Sequence, residues 1–241
     1  MENNTTRTYT LFALILGLSL VLSAIIGSMT FYKLRSMDYI SSTGSAKKAV
    51  VSDKVKWSSN ISRPVRTSTI KSGYANMEAD LKAVRNFLTT NGIPAESIEI
   101  SPVFMHEVYE QNPGIEKAYT LTQSIEVSST DVAKIAELAK NTSSLANSGM
   151  IFSTNSLEYF YSQLPEARVE LLAAAVEDAK NRAGQIAKAG GKKIGTLKSA
   201  SSGVVQVMSE NSIEVSDYGM YDTSKINKEI MVTVKASFEI R

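Results

Sequence analysis

Between Arg7 and Lys33 lie 25 residues, Thr8–Tyr32, without a charged side chain: TYTLFALILGLSLVLSAIIGSMTFY. At a rise of about 1.5 Å per residue this run makes a helix about 37 Å long, enough to cross a hydrocarbon core of about 30 Å with some tilt. An uninterrupted uncharged run of that length argues against the core helix of a soluble domain. A cleaved secretory signal usually has an apolar region of about 7–15 residues and ends at a small-x-small site. Here the run is longer, and cleavage after Gly27 or Ser28 would put Ile25 or Ile26 where a small residue is needed. Residues 1–33 therefore read as a retained transmembrane anchor.

Within it Ser19, Ser23 and Gly27 recur every fourth residue and share one helix face, a small-xxx-small seam along which two such helices can approach closely. Serine and glycine are also frequent in membrane helices, so plain lipid-facing composition is the competing reading. Arg7 flanks one end, and Lys33 and Arg35, with Lys47 and Lys48 beyond, flank the other. By the positive-inside rule these charges lean toward a cytoplasmic C-terminal domain.

The rest of the chain, about 190 residues, suffices for one large domain or two small ones that each bury a core, and one domain with internal halves is the expectation. Its composition narrows the partners. Lys and Arg number 26 against 24 Asp and Glu, a net charge of +2, which is no footprint for a phosphate backbone, so nucleic acid is not expected. There is no cysteine, which removes disulfides, thiolate metal sites and a cysteine nucleophile.

Residues 34–48 are Ser- and Gly-rich without periodicity and read as a tether. From Val51 a period of two, with Val55, Trp57 and Ile61 on one side, predicts a strand ending at Arg63-Pro64. Tyr74, Met77, Leu81, Val84 and Leu88 then step by three and four, the stripe of an amphipathic helix stopped by Gly92. Ile98 and Ile100 open a strand that Pro102 interrupts, which belongs at an edge or bulge. VFMHEVYEQ, a turn at Asn112-Pro113-Gly114, and the strand carrying Tyr119, Leu121, Ile125 and Val127 form a hairpin. A short helix follows with Val132, Ile135 and Ala139 inward and Ser129 or Thr130 as cap. MIFSTNSLEYFYS is a strand, and Pro165 to Ala189 a long helix with Val169, Leu172, Val176, Ala179, Ala183 and Ile186 inward, closed by Gly190-Gly191. A strand within 194–208 and a clear one at 230–240, with Ile230, Val232, Val234, Ala236, Phe238 and Ile240 on one face, complete the pattern. The fold class is α+β: mainly antiparallel strands with helices on one face, in two βαββ-like halves at about 50–128 and 149–241 joined by the short helix.

Chemistry is hard to find in this pattern. His106 is the one histidine, so a His-based triad has a single recruit and a transition-metal site would be all carboxylate. Gly190-Gly191-Lys192 follows its helix, whereas a phosphate loop precedes one. Glu177 and Asp178 diverge from a helix surface. No catalytic, cofactor-binding or metal-binding residue is expected, and no cofactor. Asn60-Ile61-Ser62 and Asn141-Thr142-Ser143 match the glycan acceptor pattern, which is frequent by chance.

The strand into Ser62, NGIPAESIEISPVF with Gly92-Ile93-Pro94 and Ser101-Pro102, YTLTQSIEVSSTDVAKIAELA, and the run from Glu166 to Gly195 stand in this order along the chain. Together these landmarks resemble the SIMPL domain (DUF541) family. The resemblance covers 49–241. It implies a bacterial cell-envelope protein, extracytoplasmic, without established catalytic residues, forming large ring-like homo-oligomers, with suggested links to envelope or oxidative stress. On topology it opposes the flanking charges, and the expectation follows it: a single pass through the inner membrane with the domain outside, its partners being itself and the bilayer. The alternatives are a monomeric or dimeric envelope module binding a ligand or protein, with a pocket of Trp57, Tyr159 and Phe160 as its sign, and an enzyme using carboxylates, hydroxyls and lysines alone.

Overall fold

A computed structural model describes residues 2–35, 38–109, 116–146, 150–212 and 218–241. The elements in order are α1 (Glu2–Arg35), β1 (Tyr39–Val51), β2 (Lys54–Arg66), α2 (Ile70–Thr90), β3 (Ile98–Ile100), β4 (Phe104–Val108), β5 (Ala118–Ser129), α3 (Val132–Lys140), α4 (Ser143–Ala146), β6 (Ile151–Phe160), α5 (Leu164–Ala189), β7 (Ile194–Ser209), β8 (Met220–Tyr221) and β9 (Asn227–Ile240). The class is α+β, as expected. One sheet runs β3-β5-β2-β6, with β4 continuing the β3 margin on β5, and the other β1-β9-β7-β8. β6, from the second of the expected halves, pairs antiparallel with β2 from the first. The turn at 112–114 lies outside the described residues.

The chain divides into two compact units, Ala46–Ala173 with Val204–Val232, and Met1–Ser45 with Ala174–Gly203 and Thr233–Arg241. In the larger unit β2 alternates as its sequence demands, burying Val55, Trp57, Ile61 and Val65. It runs through Pro64 instead of ending there. Among the described residues β6 pairs β2 only as far as Ser62, so Pro64 lies beyond that pairing while it stays in register with Thr120 of β5. α2, α3 and α4 supply Met77, Val84, Leu88, Ile135 and Leu145 to the same core, and Trp57 meets Phe152 edge to face at 6.1 Å. A second core gathers Val50, Ala167, Leu171, Val207, Ile230 and Val232.

Two stripe positions on α2 differ from the sequence reading. The buried row is Gly73, Met77, Asp80, Val84 and Leu88, and Tyr74 is exposed. A Cβ at Gly73 would lie 3.1 Å from Leu121 Cδ1, so glycine lets the helix start close against the sheet. Asp80 takes an inward position because β2 provides its counter-charge, described below. α3 is capped by Asp131, whose carboxylate accepts the Lys134 amide at 3.1 Å, not by Ser129 or Thr130; the Ser129 hydroxyl accepts from Asp131 N at 3.0 Å.

In the smaller unit the expected tether is a strand for most of its length. β1 begins at Tyr39, and its small residues permit a close approach: the Ser42 hydroxyl donates to Ala179 O at 2.6 Å, Ser45 N donates to the Asp178 carboxylate at 2.8 Å, and a Cβ at Gly44 would lie 2.8 Å from Ala179 Cα. The same approach refines the face of α5. Ala175 and Ala179, where the β1 backbone leaves room for a methyl group only, are buried with Ala183 and Ala187, while the larger Val169 and Ile186, expected inward, point to solvent. α5 closes on Gly191 at φ +69°, and Lys192 N returns to Ala187 O at 2.8 Å. β9 buries Val234, Ala236 and Phe238 in this unit, as its alternation predicts.

Candidate functional site

Four features bear on function. The first is α1. Its span Arg7–Tyr32 has none of its surface buried. Polar side chains on it are satisfied by the helix itself: the Ser19 hydroxyl donates to Leu16 O and the Ser23 hydroxyl to Ser19 O, both at 2.9 Å, and the Thr30 hydroxyl to Ile26 O at 2.8 Å. Such back-bonding makes the hydroxyls tolerable in hydrocarbon. A Cβ at Gly27 or Gly17 would meet nothing within 4 Å. Ser19, Ser23 and Gly27 thus share an open face. Exposed aromatic residues stand at both ends, Tyr9 and Phe12 at one and Phe31 and Tyr32 at the other, in the manner of side chains at the two membrane interfaces.

The second feature is the sheet margin formed by β3 and β4. Ile98–Ile100 pairs with Ile125–Val127 and Phe104–Val108 with Ala118–Thr122, so three residues, 101–103, stand against two, 123 and 124. Pro102 sits in that bulge, as its sequence position predicts. The bulge is pinned by Gln123, whose amide donates to Ser101 O at 2.8 Å, and by Ser124 N donating to the Ser101 hydroxyl at 2.9 Å. Beyond it every residue of β4 is exposed, His106 among them.

The third is a polar cluster around Asp222 and Lys228. Lys228 is 1% exposed, in the same β9 row as Ile230 and Val232. Its ammonium donates to Asp222 O and lies 5.6 Å from the Tyr221 ring centroid, within cation–π range. Burial pushes the lysine pKa down, opposed by the Asp222 charge. Asp222 is held below the usual carboxylate value by the Ser224 amide, at 2.8 Å, and then by the Ser224 hydroxyl. The segment also ties down its surroundings: Asp222 N donates to Val207 O, Tyr159 N to Thr223 O and Tyr161 N to the Tyr221 hydroxyl, each at 2.8 Å. Sequence reading passed over Lys228, although extending the β9 alternation by one step back from Ile230 reaches it.

The fourth is an ion pair. Arg63 of β2 grips Asp80 of α2 with both prongs, Nε to Oδ2 at 2.6 Å and Nη2 to Oδ1 at 2.7 Å. The Asp80 hydrogen bonds raise the guanidinium pKa. Their partners lie on different elements, so no local motif announces the pair.

Among the described residues no three His, Asp or Glu side chains are placed to hold a metal. Trp57 and Tyr159 are buried in the core, and Phe160 packs toward Tyr221 at 6.0 Å, so the three aromatics do not line a common pocket. Asp53 is a further acid with several hydrogen bonds. Burial raises its pKa, but the Ser162 hydroxyl, at 2.5 Å, and amide, at 2.8 Å, outweigh that and lower it. It ties the β1–β2 turn to the residues before α5.

No curated protein matches the chain. Among solved structures, the crystal structure of a protein provisionally assigned as an aminohydrolase, from methicillin-resistant Staphylococcus aureus, aligns at 12% identity over 49% of this chain and 30% of that one. Its TM-score is 0.23, too low to carry an argument. The profile of the SIMPL family, described as a protein of unknown function (DUF541), matches residues 40–238 and so takes in β1 as well as both sheets. With that match over most of its length, the chain belongs to the SIMPL (DUF541) family.

Proposed function

We propose that this chain is a membrane-anchored, non-enzymatic envelope protein whose SIMPL domain lies outside the cytoplasm and self-assembles into a closed homo-oligomer. The observation that carries the reading is α1: an uncharged helix of spanning length, wholly exposed, with its hydroxyls satisfied internally and aromatic residues at both ends. With one histidine and no cysteine in the chain, and no metal-holding cluster of acidic or histidine side chains among the described residues, a structural or binding role is favoured over catalysis. Self-association has two surfaces to draw on, the Ser19, Ser23, Gly27 seam within the bilayer and the exposed β4 margin outside it. A role in envelope or oxidative stress is the family's suggestion and extends to this chain as part of the proposal.

Gentle detergent extraction of the full chain, followed by light scattering and electron microscopy, tests the assembly. A closed particle of several copies is expected, and a monodisperse monomer would overturn it. A reporter fused after Arg241 tests the topology: activity confined to the cytoplasm would refute the extracytoplasmic placement.

A further inference from the structure

We infer that β4 is a self-pairing edge, joining antiparallel to β4 of a second copy about a twofold axis at His106. The inference rests on the proposed anchoring and specifies one contact of the assembly. β4 lies on the margin of its sheet, and among the described residues no strand pairs with its outer side. Phe104 is 52% exposed, Met105 45%, Val108 43%, and the adjoining Tyr109 87%. Edges of this kind are ordinarily blocked by charge, proline or a bulge. The opposite margin, β6, follows that rule, with a register shift at Ser58/Ser59 and Glu158 within the strand. After the Pro102 bulge β4 has no such guard. Its single charge, Glu107, is neutralised at 2.9 Å by Lys117 of the same chain.

The five residues Phe-Met-His-Glu-Val are self-complementary when read antiparallel. An axis at His106 sets Phe104 opposite Val108 of the second copy twice over, an aromatic pair with a β-branched residue, which is a favourable cross-strand combination. Met105 then faces Glu107. Moving the axis to 107 would oppose two glutamates, and a slip by one position exchanges the faces of the strand.

The size of the patch identifies its occupant. The exposed parts of Phe104, Met105, Val108 and Tyr109 amount to roughly 400 Å² per copy, scaling from 150–250 Å² for a whole aromatic side chain. A stable complex buries about 800 Å² per partner. A freely diffusing protein would be held weakly by half of that area. A second copy anchored by its own α1 in the same bilayer meets β4 at the high effective concentration that tethering supplies, and a contact this small then suffices.

The chain has no cysteine, so a single introduced thiol can form a disulfide only with another molecule. Directly opposed antiparallel residues have Cα atoms about 4.5–5.5 Å apart, inside the disulfide range. The full chain in its membranes, carrying His106→Cys, is expected on mild oxidation to give a covalent dimer at about tenfold the yield of Ile151→Cys on the β6 margin. Phe104→Cys and Val108→Cys, co-expressed with distinguishable tags, should crosslink to each other more than either does to itself. Trp57 fluorescence confirms folding of each variant. Equal yields at 106 and 151, a crosslink to a different protein, or oligomers by light scattering without a 106 crosslink would overturn the inference, the last leaving the assembly reading intact. Monomer by both measures would overturn both.

Discussion

Asp80 occupies a position on the inner stripe of α2 where an apolar residue is the rule, and it is only 5% exposed. Its cost is offset by Arg63, whose two hydrogen bonds at 2.6 and 2.7 Å hold both carboxylate oxygens. Removing one partner of a buried pair costs about 3–5 kcal/mol, because the other charge is left unpaired away from water. The two removals are not equivalent. The Arg63 side chain is 25% exposed and the Asp80 side chain 7%, so water can reach a stranded guanidinium more readily than a stranded carboxylate. Arg63→Met should therefore cost about 3–5 kcal/mol and Asp80→Ala about 2–3 kcal/mol after solvent screening. For a domain of this size that is a fall in Tm of about 6–20 °C and about 4–12 °C respectively. The double variant Arg63→Met/Asp80→Leu, with no charge to strand, should lie near the parent. The assay is urea and thermal unfolding of the full chain in detergent, followed by fluorescence of Trp57, the one tryptophan, which is 1% exposed in the same core. If the single costs sum to that of the double within about 0.5 kcal/mol, the two residues are not a coupled unit and the reasoning fails.

Gly44→Val should destabilise by about 1–3 kcal/mol, seen as a lower far-UV CD melting temperature, because the new side chain meets the backbone at Ala175 and Ala179; an unchanged melt would restore the tether reading. The depressed pKa of Asp222 stabilises the fold above the usual aspartate value of about 3.9 and that stability is lost as pH falls through the folded value, so Asp222→Asn should flatten the loss of stability below about pH 4. Lys228, depressed by burial, binds its proton less well folded than unfolded; stability should rise with pH from its folded pKa up to about 10.4, and Lys228→Met should abolish that rise in pH-dependent urea titrations. Gly27→Leu should leave the Trp57 unfolding curve unchanged, since a Cβ there meets nothing, yet weaken assembly in detergent about tenfold if the seam joins helices; unchanged assembly would mark the seam as lipid-facing.

Periodicity was legible where side-chain size and burial agree. β9 buries Ile230, Val232, Val234, Ala236 and Phe238 as its alternation requires, and the Pro102 bulge follows from the missing donor. On α5 the same logic found Ala179 and Ala183 but also set Val169 and Ile186 inward, because it weighs residues by size. Val169 and Ile186 look like core, but the strand packed on the helix comes so close that alanine is what fits. The distance between two elements is a tertiary quantity, and a single segment carries no record of it. Asp80 and Lys228 were missed for a related reason: each is buried only because a partner elsewhere, Arg63 or the Asp222 carbonyl, receives it. The long apolar helix α1 was legible, since its constraint is local to the run itself.

Small residues had opposite meanings in the two places where they cluster. In 39–45 serine and glycine suggest slack chain, yet Gly44 lacks a Cβ because Ala179 stands where it would be, and Ser42 bonds the carbonyl of the same residue. In α1 the intrachain reason is missing: Gly17 and Gly27 face open space, and Ser19 and Ser23 bond only their own helix. Glycine costs a helix about 1 kcal/mol relative to alanine, so two of them in a span need either an indifferent lipid environment or a surface from another molecule that comes as close as β1 does to α5. The domain shows what such an approach looks like when it is made. Helix α1 offers the same small-residue chemistry with the second surface supplied by no part of the described chain, and for that reason a substitution at Gly27 tests assembly and not folding.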